Sequence, residues 1–81
     1  MSTTKPVLRE GNKVPAVREL QMLLKAHLPN QRKLTTDSDF GSNTKQAVKV
    51  FQHKVNLDAD GVVGANTWRA LLAHNQLEAL V

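Results

Sequence analysis

The sequence predicts an all-α fold, a compact three-helix bundle with two similar loop-to-helix junctions, and three observations carry the prediction. Apolar residues recur at helical spacing in three separate stretches, Gly and Pro mark the boundaries of those stretches, and one loop-to-helix segment is repeated further along the chain. At 81 residues there is room for one domain with a single modest core. A chain this short buries only roughly 60 to 65% of its extended-state surface, so shallow grooves are expected rather than deep enclosed cavities.

The elements follow in order. A polar stretch covering residues 1–10 reads as a flexible N-terminal tail, and the domain proper is expected over 11–75. Val17, Leu20, Leu24 and Leu28 recur at helical spacing, with Pro15 suited to a first helical turn and Pro29 ending the pattern, which predicts a helix near 15–28. From Asn30 to Phe40 the chain is polar apart from Leu34 and reads as a loop pinned to the core. After Gly41, the residues Thr44, Ala47, Val48, Phe51 and Val55 fall at i, i+3, i+4, i+7 and i+11, placing one stripe on one side of a second helix with Phe51 in its middle. Asp60-Gly61 predicts a turn within Asn56–Val63. Thr67, Trp68, Leu71 and Leu72 predict a third helix ending near His74-Asn75, with residues 76–81 as a C-terminal tail.

Composition bounds the function. Apolar residues make up 41% and charged residues 22%, as in a folded globular domain and unlike a disordered chain. The absence of Cys excludes disulfides, thiolate metal sites and a Cys nucleophile. No window approaches the roughly 20 apolar residues of a membrane span, and Met1 to Lys5 lack the apolar stretch of a secretory signal, so neither membrane insertion nor self-directed export is expected. The formal charge of +4 favours anionic partners, but only Arg32-Lys33 are adjacent, which reads as a solvated surface with scattered charge.

The repeat lies at one constant offset: Asp37 to Thr44, with Ala47-Val48, aligns with Asp60 to Thr67, with Ala70-Leu71. In each copy Gly takes the expected N-cap position and Thr follows three places later, where its hydroxyl is expected to help satisfy free first-turn amides. Paired Asp loops raise calcium as a reading, but position 5 counted from Asp37 is Gly41 and position 12 is Val48, and from Asp58 they are Val62 and Arg69. Asp side chains bonded to loop amides explain the pattern better. His27, His53 and His74 lie on three separate elements with no zinc-type spacing, so they read as surface or semi-buried residues. Ser38 and Ser42 take turn and first-turn positions, and turn capping accounts for Asp37, Asp39, Asp58 and Asp60, leaving no nucleophile and no carboxylate pair set across a cleft.

Gly11, then Val17-x-x-Leu20-Gln21-x-x-Leu24, Leu34, Asp37-x-x-Phe40-Gly41-x-x-Thr44-x-x-Ala47-Val48-x-x-Phe51-Gln52, and Leu57-x-x-Asp60-Gly61-Val62-Val63-Gly64-x-x-Thr67-Trp68-x-x-Leu71 occur in this order. Together they resemble the bacterial peptidoglycan-binding domain, the three-helix module attached to many wall hydrolases. The resemblance covers about residues 11–72. Ser38 departs from it by standing where Gly is common, and Ser42 and Ala65 stand where Pro is frequent. It implies a non-catalytic module, needing no cofactor or metal and monomeric, that targets an associated activity to murein in the cell envelope of a bacterium or the particle of its phage. The same fold also serves in propeptides of some metalloproteases, whose Cys-containing switch a chain without Cys cannot form.

Murein offers lactyl and stem-peptide carboxylates, and amides at a helix N-terminus favour anions. The residues expected to bind are Asp39, Gly41, Ser42, Asn43, Thr44 and Lys45 at the first junction, and Asn66, Trp68 and Arg69 at the second. The first junction is favoured for its polar content. Trp68 either stacks on a sugar ring or fills the core beside Leu71 and Leu72. The alternative function is a small basic nucleic-acid-binding domain, but its third helix would offer a groove mainly Asn66 and Arg69. A small hydrolase is the remaining reading and finds no catalytic group.

Overall fold

The computed structural model describes residues 5–80, and their side chains as far as residue 72. Three helices account for most of the described chain: α1 (Pro15–His27), α2 (Ser42–Lys54) and α3 (Ala65–Leu80). Pro15 opens α1 where a missing N–H breaks no helical bond, behind an extended Val14. Val17, Leu20 and Leu24 turn inward, and the Leu28 amide closes the helix on the Leu24 carbonyl at 2.7 Å. Gly41 is the N-cap of α2, which buries Thr44, Ala47, Val48 and Phe51, with Val55 partly buried against the same cluster. Both stripes are those the 3.6-residue period predicts. The third helix runs on to Leu80 instead of stopping near His74. No Gly or Pro interrupts residues 65–81, and Ala, Leu, Gln and Glu continue a helix more readily than Asn75 ends one.

The core joins Val17, Leu20 and Leu24 of α1 to Val48 and Phe51 of α2 and to Trp68 and Leu71 of α3, and α1 packs against both other helices. Leu34 pins the long loop to it, as expected, and Phe40 is fully buried beside it.

The N-terminal segment departs from the sequence reading. Leu8, assigned to a flexible tail, is 1% exposed and pairs with Val63 in an antiparallel bridge, with N···O distances of 3.1 and 2.8 Å. A turn through Gly11, at φ 102°, then carries the chain past Phe40: the Gly11 amide donates to the Phe40 carbonyl at 2.8 Å, and the Phe40 amide to the Asn12 carbonyl at 3.0 Å. Phe40 and Val63 are equivalent positions of the internal repeat, so one short segment ties both loop ends together. Further upstream, the Lys5 ammonium pairs with Glu19 at 2.6 Å. Among the described residues, no helix is long and apolar enough to cross a membrane.

Candidate functional site

Each of the two repeated loops is folded around the side-chain amide of a buried glutamine. At the first junction Gln21 of α1, 1% exposed, accepts the Ser38 amide on Oε1 at 3.0 Å. Its Nε2 donates to Asp37 Oδ1, the Asp39 carbonyl and Thr44 Oγ1 at 3.2, 3.1 and 3.0 Å. At the second junction Gln52 of α2, also 1% exposed, accepts the Gly61 amide at 3.0 Å. Its Nε2 donates to Asp60 Oδ1, the Val62 carbonyl and Thr67 Oγ1 at 3.1, 2.9 and 3.1 Å. An amide nitrogen has two hydrogens, so three acceptors share them, and the contact set is duplicated position by position.

The aspartates complete each loop. Asp37 Oδ1 accepts the Asp39 amide at 3.0 Å and Oδ2 the Thr35 hydroxyl at 3.0 Å; Asp60 Oδ1 accepts the Val62 amide at 2.9 Å. The Asp39 amide first, then the Thr35 hydroxyl and Gln21, hold the Asp37 carboxyl below its ordinary range. The Val62 amide chiefly, with Gln52, does the same for Asp60 against a smaller desolvation effect. Their role as ligands of loop amides is the one expected from sequence, and among the described residues no group of His, Asp and Glu is arranged to hold a metal. His27 is buried, its Nε2 3.0 Å from the Leu71 carbonyl, which can only accept, so that nitrogen carries the proton. His53 is exposed on α2, and the side chain of His74 lies outside the described residues.

The two threonines behave differently from the sequence expectation. Thr44 and Thr67 are buried at 3% and 4%, and their oxygens accept from the glutamines rather than capping first-turn amides. Burial leaves Thr44 little surface for a ligand. Trp68 is likewise buried: it is 3% exposed, its indole N–H donates to the Pro6 carbonyl at 2.9 Å, and the Lys5 ammonium lies 5.4 Å from its ring centre. Lys45 pairs loosely with Glu10 at 3.6 Å, and its stem covers the loop at Gly61. Asp39, Ser42, Asn43, Asn66 and Arg69 are exposed, and Gly41 is partly so.

A concave surface lies at the second junction. A groove of about 470 Å³ is lined by Gln52, Asn56, Leu57, Asp58, Asp60, Val62 and the start of α3 from Gly64 to Thr67. Of the residues expected from sequence, only Asn66 lies on it. Asn56, which opens the loop at φ 64°, Asp58 and Asp60 were noted only as turn residues. The Trp68 amide makes the first bond of α3, to the Gly64 carbonyl at 3.0 Å, so the amides of residues 65–67 have no partner within the helix. The groove therefore combines backbone donors with carboxylate and amide side chains, a set suited to a polar ligand rich in amide, hydroxyl, carboxylate or ammonium groups.

The three-helix fold is shared with known peptidoglycan-binding domains. The chain belongs to the family described as "Putative peptidoglycan binding domain", whose family model matches residues 13–71. Among curated relatives, it is 38% identical over 64 residues to a zinc D-Ala-D-Ala carboxypeptidase from Streptomyces albus G, covering 79% of this chain and 25% of that protein. Among solved structures, the endolysin of Burkholderia AP3 phage superposes at a TM-score of 0.79 with 37% identity, over 86% of this chain and 26% of that one. A peptidoglycan-binding protein from Clostridioides difficile, in complex with glutamine hydroxamate, gives 0.76 with 44% identity, over 88% and 42%. The SleB N-terminal domain gives 0.79 with 32% identity, over 90% and 97%. The chain thus spans about a quarter of the carboxypeptidase and the endolysin, and nearly all of the SleB domain.

Proposed function

We propose that this chain is a non-catalytic, monomeric module that holds an associated activity on peptidoglycan in the cell envelope, and that it contacts the polymer through the groove at the second junction. The observation that carries the reading is that groove: about 470 Å³ open beside the free amides of α3, with exposed Asn56, Asp58, Asp60 and Asn66 around it. Stem peptides present amides, a terminal carboxylate and, where uncrosslinked, an ammonium. The α3 amides suit the carboxylate, and Asp58 and Asp60 suit N–H donors and cations. Glutamine hydroxamate, found in the Clostridioides difficile relative, belongs to the same amino-acid chemistry. Polar content alone favours the first junction, with Asp39, Ser42 and Asn43, whereas concavity favours the second.

The Asp60 carboxylate and the Thr67 hydroxyl in the groove are engaged in holding the loop, Asp60 by the Val62 amide and Gln52 and Thr67 by Gln52, which supports binding rather than hydrolysis. The nucleic-acid reading is weaker here, because α3 exposes Asn66 and Arg69 but buries Trp68 and Thr67 between them. An NMR titration with muramidase-released murein fragments tests the placement. Amide shifts are expected to cluster over residues 56–67, and Asn66→Ala to weaken binding while Asn43→Ala leaves it unchanged. Shifts confined to residues 37–46 would move the site to the first junction.

A further inference from the structure

The groove is built from a non-helical segment, and its shape rests on one side chain at its inner edge. Between Asn56 and Gly64, apart from the Leu8 bridge and the start of α3, the backbone amides that bond to backbone carbonyls are Asn56 to His53, Leu57 to Gln52 and Asp60 to Asp58. The turn at its centre instead closes on Gln52, whose amide touches Asp60, Gly61, Val62 and Thr67, of which Asp60, Val62 and Thr67 line the groove. At 1% exposure Gln52 offers a ligand almost no surface, so any effect it has on binding passes through the loop. Gln21 makes the same four contacts to the other loop, whose residues do not line this groove. The fold thereby contains its own control: two chemically matched glutamines, one beneath the groove and one away from it.

Resting on the wall-binding reading above, we propose that Gln52 is a positioning residue for peptidoglycan, holding the Asp58–Val62 wall in its binding shape, and that Gln21 performs the structural half of that task only. A purely structural role for both predicts equal behaviour. A positioning role predicts that binding depends on Gln52 alone at equal stability. The informative change is Gln52→Glu, which keeps an oxygen for the Gly61 amide but replaces the donor facing Asp60, the Val62 carbonyl and Thr67 by a carboxylate. Burial and the neighbouring Asp60 favour the protonated form of the introduced acid, and once protonated it carries an O–H that restores a donor. Where the introduced acid is ionised the loop is therefore displaced, and protonation in mild acid restores it.

The test compares full-length wild type, Gln52→Glu and Gln21→Glu for sedimentation with purified sacculi, at temperatures where circular dichroism shows each folded. Gln52→Glu is expected to lose about tenfold in affinity at neutral pH and to regain most of it in mild acid relative to wild type, while Gln21→Glu stays within about threefold throughout. Equal losses in the two variants, or a greater loss in Gln21→Glu, overturn the proposal. Should either variant not fold, amide exchange in the wild type decides. Murein fragments are expected to slow exchange at Gly61 and leave Ser38 unchanged, and a response at both or at neither overturns it. Failure of the wild type to sediment at all would remove the wall-binding reading itself, a different result from a bound wild type with no response at Gly61.

Discussion

Ser38 and Gly61 stand at equivalent positions of the repeat, and both take left-handed backbone, at φ 66° and 76°. The conformation is imposed because each amide must reach a glutamine Oε1. For Ser38 the Cβ makes it strained, so Ser38→Gly is expected to stabilise the fold by about 0.5–1 kcal/mol, the relief of strain outweighing the added freedom of the unfolded chain. Gly61→Ala is expected to act in the opposite sense by about 1–2 kcal/mol, since the conformation disfavours a side chain. Its Cβ would also stand 3.0 Å from Lys45 Cγ. Urea denaturation of the two variants checks both signs. Phe51, fully buried at the middle of the α2 stripe, is expected to cost about 3–5 kcal/mol when changed to Ala, and a loss below about 1 kcal/mol would contradict its place in the core. Trp68 is buried and bonded to Pro6, so its fluorescence is expected to stay blue-shifted and unchanged as murein fragments are added; a large change would return it to the ligand surface.

The segment before α1 works as an element although it forms no strand of its own. Leu8→Ala is expected to cost about 2–5 kcal/mol, and hydrogen exchange should then rise both at Val63, which donates to Leu8, and at Gly11, which donates to Phe40. Its importance was hidden in the sequence because Val7-Leu8 is too short to show a period, and the partners of residues 8–12 at Phe40 and Val63 lie far along the chain. The first two helices were legible for the opposite reason: Val17, Leu20 and Leu24, and Thr44 to Val55, are local patterns bounded by Pro15, Pro29 and Gly41. Gln21 and Gln52 were visible in the motifs that carry the family resemblance, each following a core residue, but their task was not. A Gln beside an apolar stripe is ordinarily a surface residue, and only the returning loop gives it four partners. The site was half legible. Sequence located two loop-to-helix junctions and selected the more polar one, whereas concavity arises from how α2, the 56–64 loop and α3 meet. The burial of Thr44 and Trp68 was not legible because position on a helix face does not reveal which neighbour covers it.

At the scale of the whole molecule, loop carboxylates link stability to pH. Asp37 and Asp60 are held below their ordinary range in the fold, so their contribution is complete above that range and is lost as pH falls through it toward the lower native values. Acid unfolding of the Asp37→Asn and Asp60→Asn double variant is therefore expected to be shallower than that of wild type in this window, and an unchanged acid limb would contradict the assigned role. The formal charge of +4 adds long-range attraction to anionic wall polymer, an effect that salt screens, whereas contacts inside the groove are less sensitive to it. All of these features serve a single claim, that the domain is a peptidoglycan-binding module whose specificity lies in the groove beside α3. Sedimentation of the folded chain with purified sacculi tests it most directly. The account predicts saturable transfer to the pellet that survives physiological salt and weakens in Asn66→Ala; a folded chain that stays in the supernatant at every sacculus concentration would contradict it.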